Sequence, residues 1–130
     1  MDDVFWNALD TLIATSEIAI DRPRGSAHPR YADITYPLDY GYLTGTSGGD
    51  GDEIDIWRGS LPDGRLDAVV CTVDTHKRDA EMKLLIGCSA QEEQTILDFH
   101  HGPGVGATIV RRDKSPSSLP ESAGERYPTR

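Results

Sequence analysis

The sequence predicts an α+β domain in which short strands fill the middle of the chain, wound into a small, strongly curved sheet or barrel, with a helix near each end. Three observations carry this. Apolar residues recur at three- and four-residue steps near the N-terminus, alternating segments punctuated by turn residues run on to residue 88, and a capping signature opens a second helical stretch at Ser89.

From Asp2 to Ala14, Val4, Phe5, Ala8, Leu9, Leu12 and Ile13 fall on one helical face, and Asp2 and Asp3 suit its N-terminal end. Glu17-Ile18-Ala19-Ile20-Asp21 alternates like a short strand, which Arg22-Pro23-Arg24-Gly25-Ser26 breaks. Tyr36 to Tyr42 carries an early proline and a glycine, so it predicts an irregular arch leading into a strand. Thr44 to Asp52 holds four glycines and is a loop, whereas Glu53 to Arg58 alternates with Ile54 and Ile56 on one side. Pro62-Asp63-Gly64 is turn chemistry and predicts that the strand from Leu66 to Val73 pairs back as a hairpin. Met82 to Cys88 is a further short apolar run beyond a polar segment. Ser89-Ala90-Gln91-Glu92 then fits a capping box, Ile96, Leu97 and Phe99 supply an apolar side, and Gly102-Pro103 stops the helix. Val105 to Arg112 is the last strand candidate.

A chain of 130 residues is one domain, here assigned to residues 1–112, and the Ser- and Pro-rich stretch 113–130 offers little to bury and predicts a flexible tail. The formal net charge of −9 argues against nucleic acid or an anionic membrane as partner. No apolar run approaches the roughly 18 residues of a membrane span, and the start Met1-Asp2-Asp3 lacks the basic residues of a secretory signal, so a soluble, cytoplasmic protein is expected. Cys71 and Cys88 stand singly in apolar surroundings and read as buried free thiols.

Chemistry concentrates in Asp50-Gly51-Asp52-Glu53-Ile54-Asp55, where four of six residues are acids at the junction of a glycine-rich loop and a strand. Carboxylates crowded in this way need solvent or cations to stay ionised. The stretch is not an EF-hand, because Asp55 and Leu61 stand where such a loop needs Gly and Glu. Nor does it follow a buried strand, as an aspartyl-phosphate nucleophile would. Asp50 and Asp52 on loop backbone can converge with Asp55 on a strand, which suits a hard cation such as Mg²⁺. Asp74, Asp79 and Glu81 form a second acidic group, with Lys77, Arg78 and Lys83 close by in sequence. Carboxylates for a metal beside cations for an anion are the components of phosphoryl transfer.

Tyr36-Pro37-x-x-Tyr40-Gly41-Tyr42 followed by Asp50-Gly51-Asp52-Glu53-Ile54-Asp55-Ile56 resembles the signature of the soluble, magnesium-dependent (family I) inorganic pyrophosphatases, over about Glu17 to Arg111. The resemblance implies a small closed OB-like β-barrel of short antiparallel strands with helices packed outside. It implies hydrolysis of pyrophosphate to two phosphates by direct attack of water, with Mg²⁺ as cofactor and Mn²⁺ as a substitute. By position, Asp50 and Asp55 would be metal ligands and Asp52 the general base. Asp74 and Glu81 would complete the metal sites, with Asp79 competing for the role of Glu81, and Asp21 stands at an acidic strand end of the pattern. Lys83 and Arg30 would bind phosphate, Tyr40 would sit beside the attacking water and Tyr36 near the substrate. Homo-oligomer formation is open to the chain on the same basis.

The chain also departs from that pattern. Only five residues separate Arg30 from Tyr36, where the family carries a longer hairpin with a phosphate-gripping arginine, so either Arg30 or Arg24 covers that role or it is lost. His100-His101-Gly102 replaces a phosphate-binding Tyr-Lys pair. Two other readings therefore stay open: a diverged hydrolase of a nucleotide or other phosphorylated small molecule, and an inactive metal- or phosphate-binding module. Taken singly, the tyrosines, the basic loop from Arg22 to Arg30 and the histidines would be packing or solvated surface.

Overall fold

A computed structural model describes residues 3–112. The expected tail, 113–130, lies outside the described residues. Helix α1 (Asp3–Ala14) is followed by strands β1 (Ile18–Arg22), β2 (Asp39–Leu43), β3 (Asp55–Arg58), β4 (Leu66–Asp74) and β5 (Asp79–Ile86), then helix α2 (Ala90–Phe99) and strand β6 (Val105–Arg111). Each helix and strand read from the sequence is present.

The strands form one six-stranded mixed sheet in the order β1-β2-β3-β5-β4-β6. Three expectations are corrected by this order, the first being that all strands are antiparallel: β3 and β5 are parallel neighbours. The sheet is not closed into a barrel: β1 and β6 are its two ends, and no ladder joins them among the described residues. The segment after Pro62-Asp63-Gly64 does not fold back on β3 either. β4 pairs with β5 and β6, while β3 runs parallel to β5 through Ile56, Trp57 and Arg58. The reason lies in which faces are apolar. Ile56 and Trp57 are consecutive in β3, project to opposite faces, and are both fully buried. A sheet with two apolar faces needs a cover on each, and one helix per face supplies it.

On the first face, Trp6 and Leu9 of α1 pack with Leu43, Ile56, Leu66, Val69, Leu84 and Ile86. On the second, Ile96 of α2 and Tyr36 and Leu38 from the β1–β2 connection pack with Trp57, Ala68, Val70, Leu85 and Cys88. The capping box forms as read: Ser89 Oγ accepts from Glu92 N at 3.1 Å and Glu92 Oε1 accepts from Ser89 N at 2.9 Å. Glu92 also accepts from Ser60 N, which ties the β3–β4 connection to α2. Cys71 and Cys88 are both free thiols, Cys71 half-buried and Cys88 buried, and burial pushes the Cys88 thiol up to about 12.

Candidate functional site

The second face carries the chemistry at one end of the sheet. Tyr40 of β2, Asp55 of β3 and Lys83 of β5 lie on three neighbouring strands and share that face with Trp57 and Leu85. Lys83 Nζ donates to Tyr40 Oη at 2.8 Å, Asp55 Oδ2 at 3.1 Å and Glu81 Oε1 at 2.7 Å. Tyr40 Oη donates in turn to Asp55 Oδ2 at 2.6 Å. Lys83 is 7% exposed, so its charge rests on these partners and not on water. Burial alone would lower its pKa, but Tyr40, the Asp55 carboxylate and the Glu81 hydrogen bond outweigh burial and hold the ammonium above the ordinary lysine value. Burial, with Asp55 adding to it, raises the Tyr40 phenol. The hydroxyl therefore keeps its proton and remains a donor to Asp55.

A bulge brings a second cation to this face. Ile20 pairs with Gly41, but the next pair is Arg22 with Tyr40, which leaves Asp21 as the extra residue. Regular alternation from Ile18 and Ile20 would turn Arg22 to the α1 face. The bulge instead sets Arg22 Nη1 2.6 Å from Tyr36 Oη, to which it donates, with the guanidinium 5.6 Å and 5.9 Å from the Tyr36 and Tyr40 ring centres. Gly41 is required beside it, because a Cβ there would collide with the Ala19 carbonyl.

Asp21, Arg22, Tyr40, Asp50, Asp52, Asp55, Lys77, Glu81 and Lys83 line one cavity of about 340 Å³ with Gly41 and Tyr42. The acidic loop reaches it through a turn in which Asp50 Oδ1 accepts from Asp52 N at 3.0 Å. Asp74 lies in the adjoining cleft of about 220 Å³, which shares Arg22, Tyr40, Lys77, Glu81 and Lys83 and adds Tyr36, Asp79 and His100. Asp74 Oδ1 is occupied in the β4–β5 turn, accepting from His76 N at 2.9 Å and Lys77 N at 3.0 Å, and these bonds lower its pKa. Arg30 lines a third cleft, which shares Arg22 and Lys77. Arg24 is exposed, and its backbone N donates to Asp39 Oδ1 at 2.9 Å.

Sequence reasoning left Arg22 in a solvated basic loop, since nothing in the local pattern announces a bulge. The histidines, taken singly, read there as packing or solvated surface, and His100 is in fact half-buried against Trp57. His100 Nε2 accepts from Trp57 Nε1 at 3.2 Å, and burial, with Lys83 and His101 adding to it, brings its pKa down to about 4. The signal for that contact is long-range and absent from the local sequence.

Five carboxylates and three cations line the 340 Å³ cavity, which leaves two negative charges to be balanced, and every acidic donor is a hard oxygen. This donor set fits Mg²⁺ or Mn²⁺. The carboxylates are not gathered round one point: among the described residues no three His, Cys, Asp or Glu side chains are grouped closely enough to hold one ion. Lys83 takes the place of such a cation at Asp55 and Glu81.

No protein-family model and no curated protein matches the sequence. Solved structures do match its fold. An inorganic pyrophosphatase from Neisseria gonorrhoeae aligns with a TM-score of 0.58 at 17% identity, covering 72% of this chain and 80% of that one. The pyrophosphatase of Helicobacter pylori gives 0.53 at 18% identity over 79% and 87%, and that of Coxiella burnetii 0.53 at 16% identity over 77% and 86%. At identities this low the fold is what is shared, and the fold of this chain is that of the inorganic pyrophosphatases.

Proposed function

We propose that this chain hydrolyses inorganic pyrophosphate to two phosphates. The observation that carries the reading is the buried Lys83–Tyr40–Asp55–Glu81 network at a carboxylate-lined cavity, in a fold shared with enzymes of that activity. Asp50, Asp55 and Asp21, with Asp74 and Glu81 at the adjoining cleft, would hold Mg²⁺, and Asp79 of the same cleft competes with Glu81. Bound there, Mg²⁺ would screen phosphate charge and make water more acidic.

The chain's own residues supply the remainder. Asp52, which is exposed and lines the cavity, takes the proton as the water oxygen attacks phosphorus. Arg22 and Lys83, which line the cavity, and Arg30, which lines the next cleft, would bind the phosphate oxygens and stabilise charge as it moves to the leaving phosphate. Tyr40 fixes the Asp55 carboxylate, and Tyr36 holds Arg22. The acids of the Asp50–Asp55 loop precede or open β3 and do not follow a buried strand as an aspartyl-phosphate nucleophile would, which favours direct attack of water over a covalent intermediate.

No described helix is long and apolar enough to cross a membrane. Cytoplasmic placement, which suits two free thiols, and assembly with copies of the same chain belong to this proposal. The test is phosphate release from pyrophosphate, ATP and a sugar phosphate, each with Mg²⁺ and with chelator. Fast Mg²⁺-dependent release from pyrophosphate is expected. No release from pyrophosphate would overturn the reading.

A further inference from the structure

A cleft of about 1000 Å³ opens beside the catalytic cavity and is lined by Arg22, His28, Pro29, Arg30, Tyr31, Asp74, His76 and Lys77. It is far larger than a second phosphate needs, and falls within the size of clefts that hold whole small-molecule ligands. Three cations face one acid across it. Burial, followed by Arg22, Arg30 and Lys77, lowers the His28 pKa, so the imidazole stays neutral among these cations. His28 Nδ1 accepts from Arg30 N at 3.0 Å and Tyr31 N at 3.3 Å, which fixes the ring and leaves its other nitrogen as the donor.

The rings step from this cleft toward the catalytic cavity. Exposed Tyr31 lies 5.2 Å from His28, His28 stacks on buried Tyr36 at 5.9 Å and 7°, and Tyr36 lies 5.4 Å from Tyr40. The loop that carries them is held by its own backbone. His28 N donates to Ile34 O at 2.7 Å, Tyr36 N to Ser26 O at 2.9 Å, and Gly25 N to Tyr36 O at 2.8 Å. Arg22 and Lys77 line both this cleft and the catalytic cavity, so one ligand can reach across them. Exposed Tyr31 lines this cleft together with Arg22, Arg30 and Lys77, and an aromatic ring in a cation-lined cleft that adjoins a diphosphate cavity has the chemistry that receives a nucleobase.

We propose that the site also accepts a nucleoside diphosphate, with its diphosphate in the catalytic cavity and its nucleoside in this cleft against Tyr31 and His28. This rests on the hydrolase reading above. Water attacks the terminal phosphorus and forms the new P–O bond while the bond from that phosphorus to the bridging oxygen breaks. The bridging oxygen leaves with the nucleoside monophosphate, inorganic phosphate is the other product, and Asp52 receives the proton.

Phosphate release from ADP, methyl diphosphate and pyrophosphate in Mg²⁺ tests this, with wild type, Tyr31→Ala and Tyr31→Phe. Tyr31 is exposed and lies outside the pyrophosphate cavity, so its replacement leaves folding and pyrophosphate turnover as they are. The expected result is that Tyr31→Ala raises the KM for ADP roughly tenfold, the scale of one lost stacking contact, while Tyr31→Phe matches wild type. The KM values for pyrophosphate and methyl diphosphate should not change. Turnover of pyrophosphate without turnover of ADP, or an ADP KM indifferent to Tyr31→Ala, would overturn the inference and leave the hydrolase reading standing. Turnover of none of the three would overturn both.

Discussion

Lys83 reaches across from β5 to place its ammonium 3.1 Å from the Asp55 carboxylate on the parallel neighbour β3. The contact depends on a strand order in which β5 inserts between β3 and β4. It joins the acidic loop, read from the sequence as the metal-binding stretch, to the lysine read as a phosphate ligand. Lys83→Met should therefore damage both stability and activity. The side chain is 9% exposed, but Asp55 and Glu81 are 34% and 23% exposed, so water relieves part of the loss. We expect a fall of about 2 kcal/mol in unfolding free energy, below the full cost of breaking a buried pair. Urea unfolding measures it, and a midpoint equal to wild type would remove Lys83 from the structural role.

Gly41→Ala should be more harmful than its small volume suggests. The added methyl group would meet the Ala19 carbonyl and lie 2.8 Å from Ile20 Cα, both backbone atoms that cannot swing aside. Separating β1 from β2 would also displace the bulge that presents Arg22. Overpacking of this kind costs roughly 1–3 kcal/mol. A lowered melting temperature together with weakened pyrophosphate binding is expected, and wild-type values for both would contradict the register.

How far the sequence revealed the site follows the range of each interaction. The Asp50 to Asp55 loop and the Ser89–Glu92 cap are set by residues within a few positions of one another and were legible, whereas Lys83 was singled out by motif position and its contacts with Tyr40 and Asp55 lie 43 and 28 residues away. The bulge at Asp21 was not legible, because Arg22-Pro23 reads as the end of the strand, and nothing local says that Arg22 stays paired, with Tyr40, beyond an extra residue. Pro62-Asp63-Gly64 does carry turn chemistry, but a turn does not specify which strand the chain joins next. The adjacent apolar residues Ile56 and Trp57, which project to opposite faces of a strand, could have signalled a sheet covered on both faces in place of a barrel with one interior. The His100 contact with Trp57 spans 43 residues and has no local mark.

His100 gives the fold an acid-side weakness. In the folded chain its pKa is about 4, against an ordinary value of 6.5, because burial and nearby Lys83 and His101 disfavour the imidazolium. Above about pH 6.5 both folded and unfolded chains are neutral at this position, and its contribution to stability is fully present. As pH falls, the unfolded chain takes a proton that the folded chain refuses, and the contribution is lost until the two levels meet near pH 4. The full loss is on the order of 3 kcal/mol. His100→Gln, whose amide does not titrate, should show a correspondingly shallower decline in unfolding free energy between pH 6.5 and 4. Equal slopes for the two proteins would contradict the assignment.

In the proposed reaction the acidic cavity hydrolyses pyrophosphate with Asp52 as the base. Its most direct test is steady-state phosphate release from pyrophosphate in Mg²⁺ by wild type and Asp52→Asn. The asparagine cannot take a proton but keeps the size and exposed position of the side chain. Wild type should turn over rapidly and the variant should lose about 10²-fold or more in kcat with KM little changed, as follows from removal of a general base. A variant that turns over at the wild-type rate would remove Asp52 from the role of base.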